Sequence, residues 1–307
     1  MPKALVTKIT GRTVRDLLMI EEVASAKVNL YLHVGGTRQD GLHELKSLFV
    51  FTEDGDRIQA ELDERVSLKI VGQFADVLTA EPVESNLVFK AALALQSAFN
   101  VKSGARLTLD KRLPVAAGIG GGSADAAAAL LALVKLWDIQ ADVAQLEEIA
   151  FNLGADVPAC LHRRPIVVGG AGEKITPFEG LPLLWVCLVN PGVATPTGPI
   201  FASFDAKNPS PNEPIVPETT PQAGIQHIVS LLEKSHNDLE PIAVEMRPVI
   251  GNVLDLLATV PGGMVARMSG SGATCFALFQ SEQDARGCAE LARAEGWWAM
   301  ASRLLTG

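Results

Sequence analysis

Gly118, Gly120, Gly121 and Gly122 stand just ahead of Ser123 in PVAAGIGGGSADAAAA, residues 114–129. Glycines this dense let the backbone take positive φ angles and let an outside group reach its N–H groups without meeting a Cβ. The Ala- and Leu-rich run from Ala124 to Trp137, with Leu130, Leu133, Val134 and Trp137 at helical spacing, predicts a helix with Ser123 as its N-cap. The first turn of such a helix turns unpaired N–H groups and the positive end of its dipole into the loop, and phosphate is the guest that suits it. No lysine follows Gly122, which excludes a P-loop, and Ser123 stands where a dinucleotide fingerprint needs Gly or Ala. A ligand-free capping turn is the plain alternative, but it leaves the backbone-entropy cost of three consecutive glycines without a purpose.

Two ionisable side chains stand in patterned stretches away from the loop. Residues 24–34 alternate, with Ala24, Ala26, Val28, Leu30, Leu32 and Val34 on one face and Ser25, Lys27, Asn29, Tyr31 and His33 on the other. That pattern predicts a strand with one packed face and one outward face, and taken alone Lys27 is a solvated charge. Asp156 lies between Gly154 and Pro158, at a junction between elements where catalytic residues gather, although a lone Asp there is more simply a cap or turn residue. Near the C-terminus, Ser269-Gly270-Ser271-Gly272 joins predicted strands over 264–268 and 274–279; it suits a phosphate or sugar, and equally a plain hairpin turn.

The elements that position these groups follow from local pattern. His43 opens a strand through 48–51, Asp54-Gly55-Asp56 reads as a turn, and 57–71 as further strands. Asn86 and Leu87 lead into a helix bearing Ala91, Ala92, Leu95 and Phe99; residues 105–109 form a strand that ends before Pro114. A helix over 143–153 stops at Gly154, and strands follow over 166–168 and 183–189. Residues 191–221 are Pro-rich and irregular, with Thr197 and Phe201 as candidate contacts, and helices are expected from Gln222, Leu239 and Glu282.

At 307 residues and 48% apolar, the chain is expected to fold as two domains. Its net charge of −9 excludes nucleic acid or an anionic membrane as its main partner, since both demand a basic face. Cys160, Cys187, Cys275 and Cys288 are scattered and read as reduced thiols of a cytoplasmic protein. The five histidines are dispersed too, so no protein-held metal is expected. The longest apolar stretch, residues 126–134, is roughly half a membrane span. Residues 1–18 carry no organised pattern and read as a frayed tail, or as lying ahead of a true start at Met19.

The strand with Lys27, the glycine loop and the late Gly-Ser-Gly hairpin, in that order, resemble the three motifs of the GHMP small-molecule kinases. Ala26-Lys27-Val28-Asn29-Leu30, Asp40-Gly41-Leu42-His43, Gly118-Ile119-Gly120-Gly121-Gly122-Ser123, Leu153-Gly154-Ala155-Asp156-Val157-Pro158, Asn237-Asp238-Leu239 and Ser269-Gly270-Ser271-Gly272 resemble one branch of that family. Its members act on a cytidyl-diphosphate-linked methylerythritol in non-mevalonate isoprenoid synthesis. The resemblance implies a two-domain α+β GHMP kinase-like fold: an N-terminal mixed sheet with helices over 19–165, a C-terminal α/β layer over 166–307, and the active site in the cleft between them.

It implies ATP-dependent phosphorylation of the C2 hydroxyl, with Asp156 accepting the proton and Lys27 beside it. Pro114, Val115, Ala116, Ala117, Gly118, Ile119, Gly120, Gly121, Gly122, Ser123 and Ala124 would surround the ATP phosphates, and Asn86 and Leu87 would border the adenine. Asn29 would lie near the diol, His43, Thr197 and Phe201 at the cytidine, and Gly270, Ser271 and Gly272 against the substrate. Mg2+ is expected with ATP, although no carboxylate cluster is set aside for it. Leu42 stands where the family carries an aromatic residue. The alternatives are a homoserine- or mevalonate-type kinase and a catalytically silent nucleotide-binding regulator.

Overall fold

The computed structural model describes residues 19–207 and 224–306. The N-terminal extension and the end of the Pro-rich segment lie outside the described residues.

A long antiparallel ribbon, β1 (Ile20–Thr37) with β2 (His43–Asp63), forms the spine of the first sheet. β2 also pairs at its start with β5 (Ile166–Gly170) and at its end with β4 (Gly104–Asp110), and β3 (Ser67–Val71) and β6 (Lys174–Pro177) complete the sheet outside them. Helices α1 (Ala75–Thr79), α2 (Leu87–Ala98), α3 (Gly121–Leu136), α4 (Val143–Leu153) and α5 (Val157–His162) accompany it. α3 packs on β1, β2, α2 and α5, its alanines allowing close approach.

The second sheet runs β10-β7-β9-β8, from β7 (Trp185–Asn190), β8 (Ala266–Met268), β9 (Cys275–Phe279) and β10 (Trp298–Arg303). Around it stand α6 (Thr197–Lys207), α7 (Ile225–Glu233), α8 (Glu240–Met246), α9 (Val249–Thr259) and α10 (Glu282–Ala294). One core joins Ala26, Val28 and Leu30 of β1 to Val186, Leu188, Phe276 and Leu278 of the second sheet. The two layers therefore share apolar contacts, and the Leu305 N–H donates to the Phe51 carbonyl at 2.8 Å across them. Among the described residues no helix is long and apolar enough to cross a membrane.

Tertiary pairing overrides local pattern at four places. Asp54-Gly55-Asp56 is no turn: β2 continues through it, with Gly55 opposite Ser25 and Asp56 opposite Ala24, beside a bulge in which the register with β1 shifts. A Cβ on Gly55 would lie 2.0 Å from the Ala24 carbonyl oxygen, so glycine is required there by the closeness of β1. β1 has no outward face over residues 24–34: Ala26, Val28 and Leu30 pack on the second layer, and the glycine loop and late hairpin cover Lys27 and Asn29 on the side that alternation left to solvent. The first sheet continues past residue 165, where the sequence divides the chain, because β5 pairs with β2. Thr197 and Phe201 lie on helix α6 rather than in irregular chain.

Tyr31 is fully buried, its hydroxyl has no hydrogen-bond partner, and burial pushes its pKa up to about 12. A buried hydroxyl without a partner costs stability. Tyr31→Phe is therefore expected to match or exceed the wild-type stability by up to about 1 kcal/mol in urea unfolding. A loss of that size instead would mean that the hydroxyl is satisfied in solution.

Candidate active site

α3 starts earlier than its sequence suggests. Gly120, in the left-handed region at φ 63°, is the N-cap, so Ser123 occupies the third helical position. The first helical bond is from Ala124 N–H to the Gly120 carbonyl at 2.8 Å. The N–H groups of Gly121, Gly122 and Ser123 precede it and are free to meet an anion. A Cβ added to Gly122 would meet only Leu87, at 3.8 Å, so the approach is open.

The loop is held in place by the late hairpin. Ser269 Oγ donates to the Gly118 carbonyl at 2.9 Å, and the Thr274 N–H to the Ala117 carbonyl at 3.2 Å. At Gly118, with φ 74°, a Cβ would lie 2.4 Å from the Ser269 carbonyl oxygen and 2.7 Å from that of Gly272. Gly118→Ala must therefore push the loop off the hairpin. The expected outcome is a fold that survives in a thermal melt with the affinity of the loop for a phosphate-bearing ligand lowered by about tenfold or more.

Beneath the loop lies a buried charge cluster. Lys111 Nζ donates to Asp56 Oδ2 at 2.5 Å and to Asp125 Oδ2 at 2.7 Å, all three side chains being buried. A Cβ on Gly121 would come within 3.1 Å of this ammonium. Asp56 Oδ1 also accepts the N–H groups of Arg112 and Leu113. Asp125 Oδ1 is unpartnered, and burial, helped by the neighbouring Asp56 carboxylate, outweighs the attraction of the lysine and pushes the Asp125 pKa up to about 8. Burial works against the charged lysine, yet the two carboxylates outweigh it and its pKa is raised.

Lys27 Nζ donates to Asp156 Oδ2 at 3.0 Å and sits 3.9 Å from the centroid of the Phe49 ring. The lysine side chain is 6% exposed and the aspartate 44%, so the ammonium is fixed while the carboxylate faces the opening. Asp156 precedes α5 but makes no capping hydrogen bond, which leaves it free for other work. Next to the pair, Asn29 Nδ2 donates to Ser47 Oγ at 2.9 Å, and the Asn29 N–H to Ser269 Oγ at 3.0 Å. Its side-chain amide is held at the nitrogen and its backbone at the N–H.

These groups open into one cleft of about 410 Å³. Of the residues expected from the sequence, Lys27, Asn29, Leu87, Ala116, Ala117, Gly118, Gly120, Gly121, Gly122, Ser123, Asp156, Thr197, Phe201, Gly270 and Ser271 line it. Thr197 Oγ1 and Ser271 Oγ are hydrogen-bonded at 3.1 Å in its wall. Others serve it from behind. Asn86 caps α2 by accepting the Val88 N–H, Ile119 is core and receives the Lys27 N–H, and the N–H of Ala124 is already committed to the helix. Pro114 and Val115 form the approach to the loop, and Gly272 turns the hairpin at φ 85°. His43 does not line the cleft: its Nε2 is 2.7 Å from Asp205 Oδ1, and its ring centroid is 4.9 Å from that of Phe201. Leu42 is half exposed and also outside the lining.

Sequence reasoning missed Ser47, Phe49, Thr195 and Leu239 in the lining, and the cluster of Lys111, Asp56 and Asp125. Leu32 is a further case: a bulge between Asn29 and Tyr31 reverses the alternation and turns Leu32 to the cleft side. The signal for the cluster was an Asp within the apolar run of α3, whose burial called for a cation. A larger depression of about 870 Å³ over α10, bordered by Val260, Glu282, Arg286 and Leu291, has neither a glycine loop nor a lysine–carboxylate pair.

The model of the GHMP kinases N terminal domain matches residues 86–164, and that of the GHMP kinases C terminal region matches 225–295. The 4-diphosphocytidyl-2-C-methyl-D-erythritol kinase of Parvibaculum lavamentivorans is 46% identical over 281 residues, covering 91% of this chain and 96% of its own length. The enzyme of that name from Cereibacter sphaeroides is 46% identical over 291 residues, covering 94% of this chain and 100% of its own. A crystal structure of 4-(cytidine 5'-diphospho)-2C-methyl-D-erythritol kinase superimposes with a TM-score of 0.76 at 32% identity, over 94% of this chain and 100% of that one. The homoserine kinase of Cytophaga hutchinsonii shares the fold, with a TM-score of 0.68 at 18% identity over 97% of each chain. A buried lysine against a cleft carboxylate, beneath a glycine loop that opens a helix, thus lies in a chain that belongs to the 4-diphosphocytidyl-2-C-methyl-D-erythritol kinase family of the GHMP kinases.

Proposed function

We propose that this kinase transfers the γ-phosphoryl group of ATP to the C2 hydroxyl of 4-diphosphocytidyl-2-C-methyl-D-erythritol, giving the 2-phosphate and ADP. The observation that carries the reading is the 3.0 Å pair of Lys27 and Asp156 in the same cleft as the open first turn of α3. Asp156 takes the hydroxyl proton as the new O–P bond forms and the bond from the γ-phosphorus to its bridging oxygen breaks. Lys27 keeps that carboxylate aimed and balances its charge. Asn29, held by Ser47 and Ser269, presents its amide to the diol. Most of the rate gain in such a transfer comes from alignment and charge stabilisation, which a preset lysine, carboxylate and helix N-terminus supply.

The glycines fit a triphosphate: Gly121, Gly122 and Ser123 offer N–H groups, and at Gly122 only Leu87 is near an added Cβ. Leu87 and the Asn86 cap border the base. Thr197 and Phe201 take the cytidine end, with His43 steadying Phe201 under the hold of Asp205. The Phe201 ring at that end favours a planar base over the small acceptors of homoserine- or mevalonate-type kinases. Ser123 and Asp156 are the oxygen donors a phosphate-bound Mg2+ could add to its shell, and the ion would neutralise charge on the transferring group. The reaction needs ATP and a small molecule only, and the proposal includes a cytoplasmic setting. The test is ADP release by purified protein with Mg-ATP and, in turn, the cytidyl-diphosphate methylerythritol, homoserine and mevalonate. Turnover with the first alone is expected; ATP binding without turnover on it would overturn the assignment.

A further inference from the structure

His33 on β1 and His236, just ahead of Asp238, are far apart in the chain, and for that reason histidine spacing carries no metal signal. The fold sets them side by side, with ring centroids 4.5 Å apart at an angle of 84°. Asp238 Oδ1 is 2.7 Å from His236 Nε2, and Asp238 Oδ2 is 3.8 Å from His33 Nδ1. One donor atom from each residue lies within 4.8 Å of the other two, and none of the three lines the cleft.

We propose that His33, His236 and Asp238 form a binding site for a divalent ion of the zinc and cobalt class. Two imidazole nitrogens and a carboxylate are a donor set that such ions take, with water completing a tetrahedron. With neutral rings the set carries a single negative charge, which suits a dication. Two of the three ligands are preset by backbone bonds. The Leu32 N–H donates to the His236 carbonyl at 3.0 Å and the Asp238 N–H to the Leu32 carbonyl at 2.9 Å, locking the segment to β1. The Val34 N–H donates to Asp238 Oδ2 at 2.7 Å and orients the carboxylate, the part that outer partners play around metal ligands. His33 is buried, whereas His236 is 67% exposed and is the ligand free to swing inward. That freedom is needed, because zinc bonds of about 2.1 Å draw donor atoms to roughly 3.4 Å of one another.

The ion would tie β1 to the segment containing Asn237, whose Nδ2 donates to the Met268 and Gly270 carbonyls at 2.8 Å each. It would thus brace the late hairpin without touching the reacting groups.

The test is calorimetric titration of the tag-free, chelator-treated chain with ZnCl2, together with Co2+ absorption spectra and thermal melts. One Zn2+ per chain, a tetrahedral Co2+ spectrum and a metal-dependent rise in Tm are expected. His236→Ala and His33→Asn should each weaken binding by roughly a hundredfold or more, with turnover of His236→Ala unchanged. The melt of metal-free His33→Asn shows whether that variant is folded, and His33→Gln serves in its place if it is not. Absence of stoichiometric binding overturns the proposal. So does wild-type affinity in a folded His33 variant, which would reduce the site to a lone surface histidine.

Discussion

Asp156→Asn is expected to lower kcat by about 10²–10⁴-fold, the range that a positioned general base contributes, with ATP binding retained. The substitution keeps the shape and removes the acceptor. Asp156 is 44% exposed and caps no helix, so the fold does not depend on it. Lys27 loses its carboxylate but keeps the Phe49 ring at 3.9 Å, and that bounds the structural damage. The measurement is single-turnover phosphoryl transfer beside equilibrium binding of a non-hydrolysable ATP analogue. A kcat within tenfold of wild type would remove Asp156 from the role of base. A parallel loss of nucleotide affinity would recast the pair as part of the ATP site.

Lys111→Met should have the largest effect on stability. It leaves Asp56 and Asp125 facing each other in a dry interior, and breaking a buried ion pair from one side typically costs about 3–5 kcal/mol. The cluster lies directly under Gly121, so the surviving folded fraction should also bind ATP poorly. The same cluster sets a pH dependence. Asp125 has its pKa raised from 3.8 to about 8, so the native state holds a proton there that the unfolded chain has lost. Where the native state binds more protons, stability falls as pH rises, here across the window from 3.8 to about 8. Asp125→Asn should flatten that fall in urea midpoints measured across the window. A slope identical to wild type would show that Asp125 is ionised throughout.

What could be read early was what local chemistry dictates. The helix over Val143–Leu153 ends at Gly154 as expected, and Asn86 starts α2, because caps and breakers act within one turn. The placing of Ser123 at the N-cap failed because Gly120 takes the left-handed conformation and lets the helix begin sooner. The Asp-Gly-Asp triplet was misread because turn-forming residues yield to strand pairing, here of Gly55 and Asp56 with β1.

By itself the sequence pointed to the ligand class, through a glycine run ahead of a helix that suits a phosphate, and to the strand and helix that present it. The tertiary structure alone decided that Lys27 is buried against Asp156 rather than solvated, that Lys111 lies beneath the loop, and that His33 meets His236. Each of these is a contact between residues distant in the chain. Periodicity and capping report on neighbours within a few residues, whereas the burial of a charge and the partner it finds depend on which other element covers it.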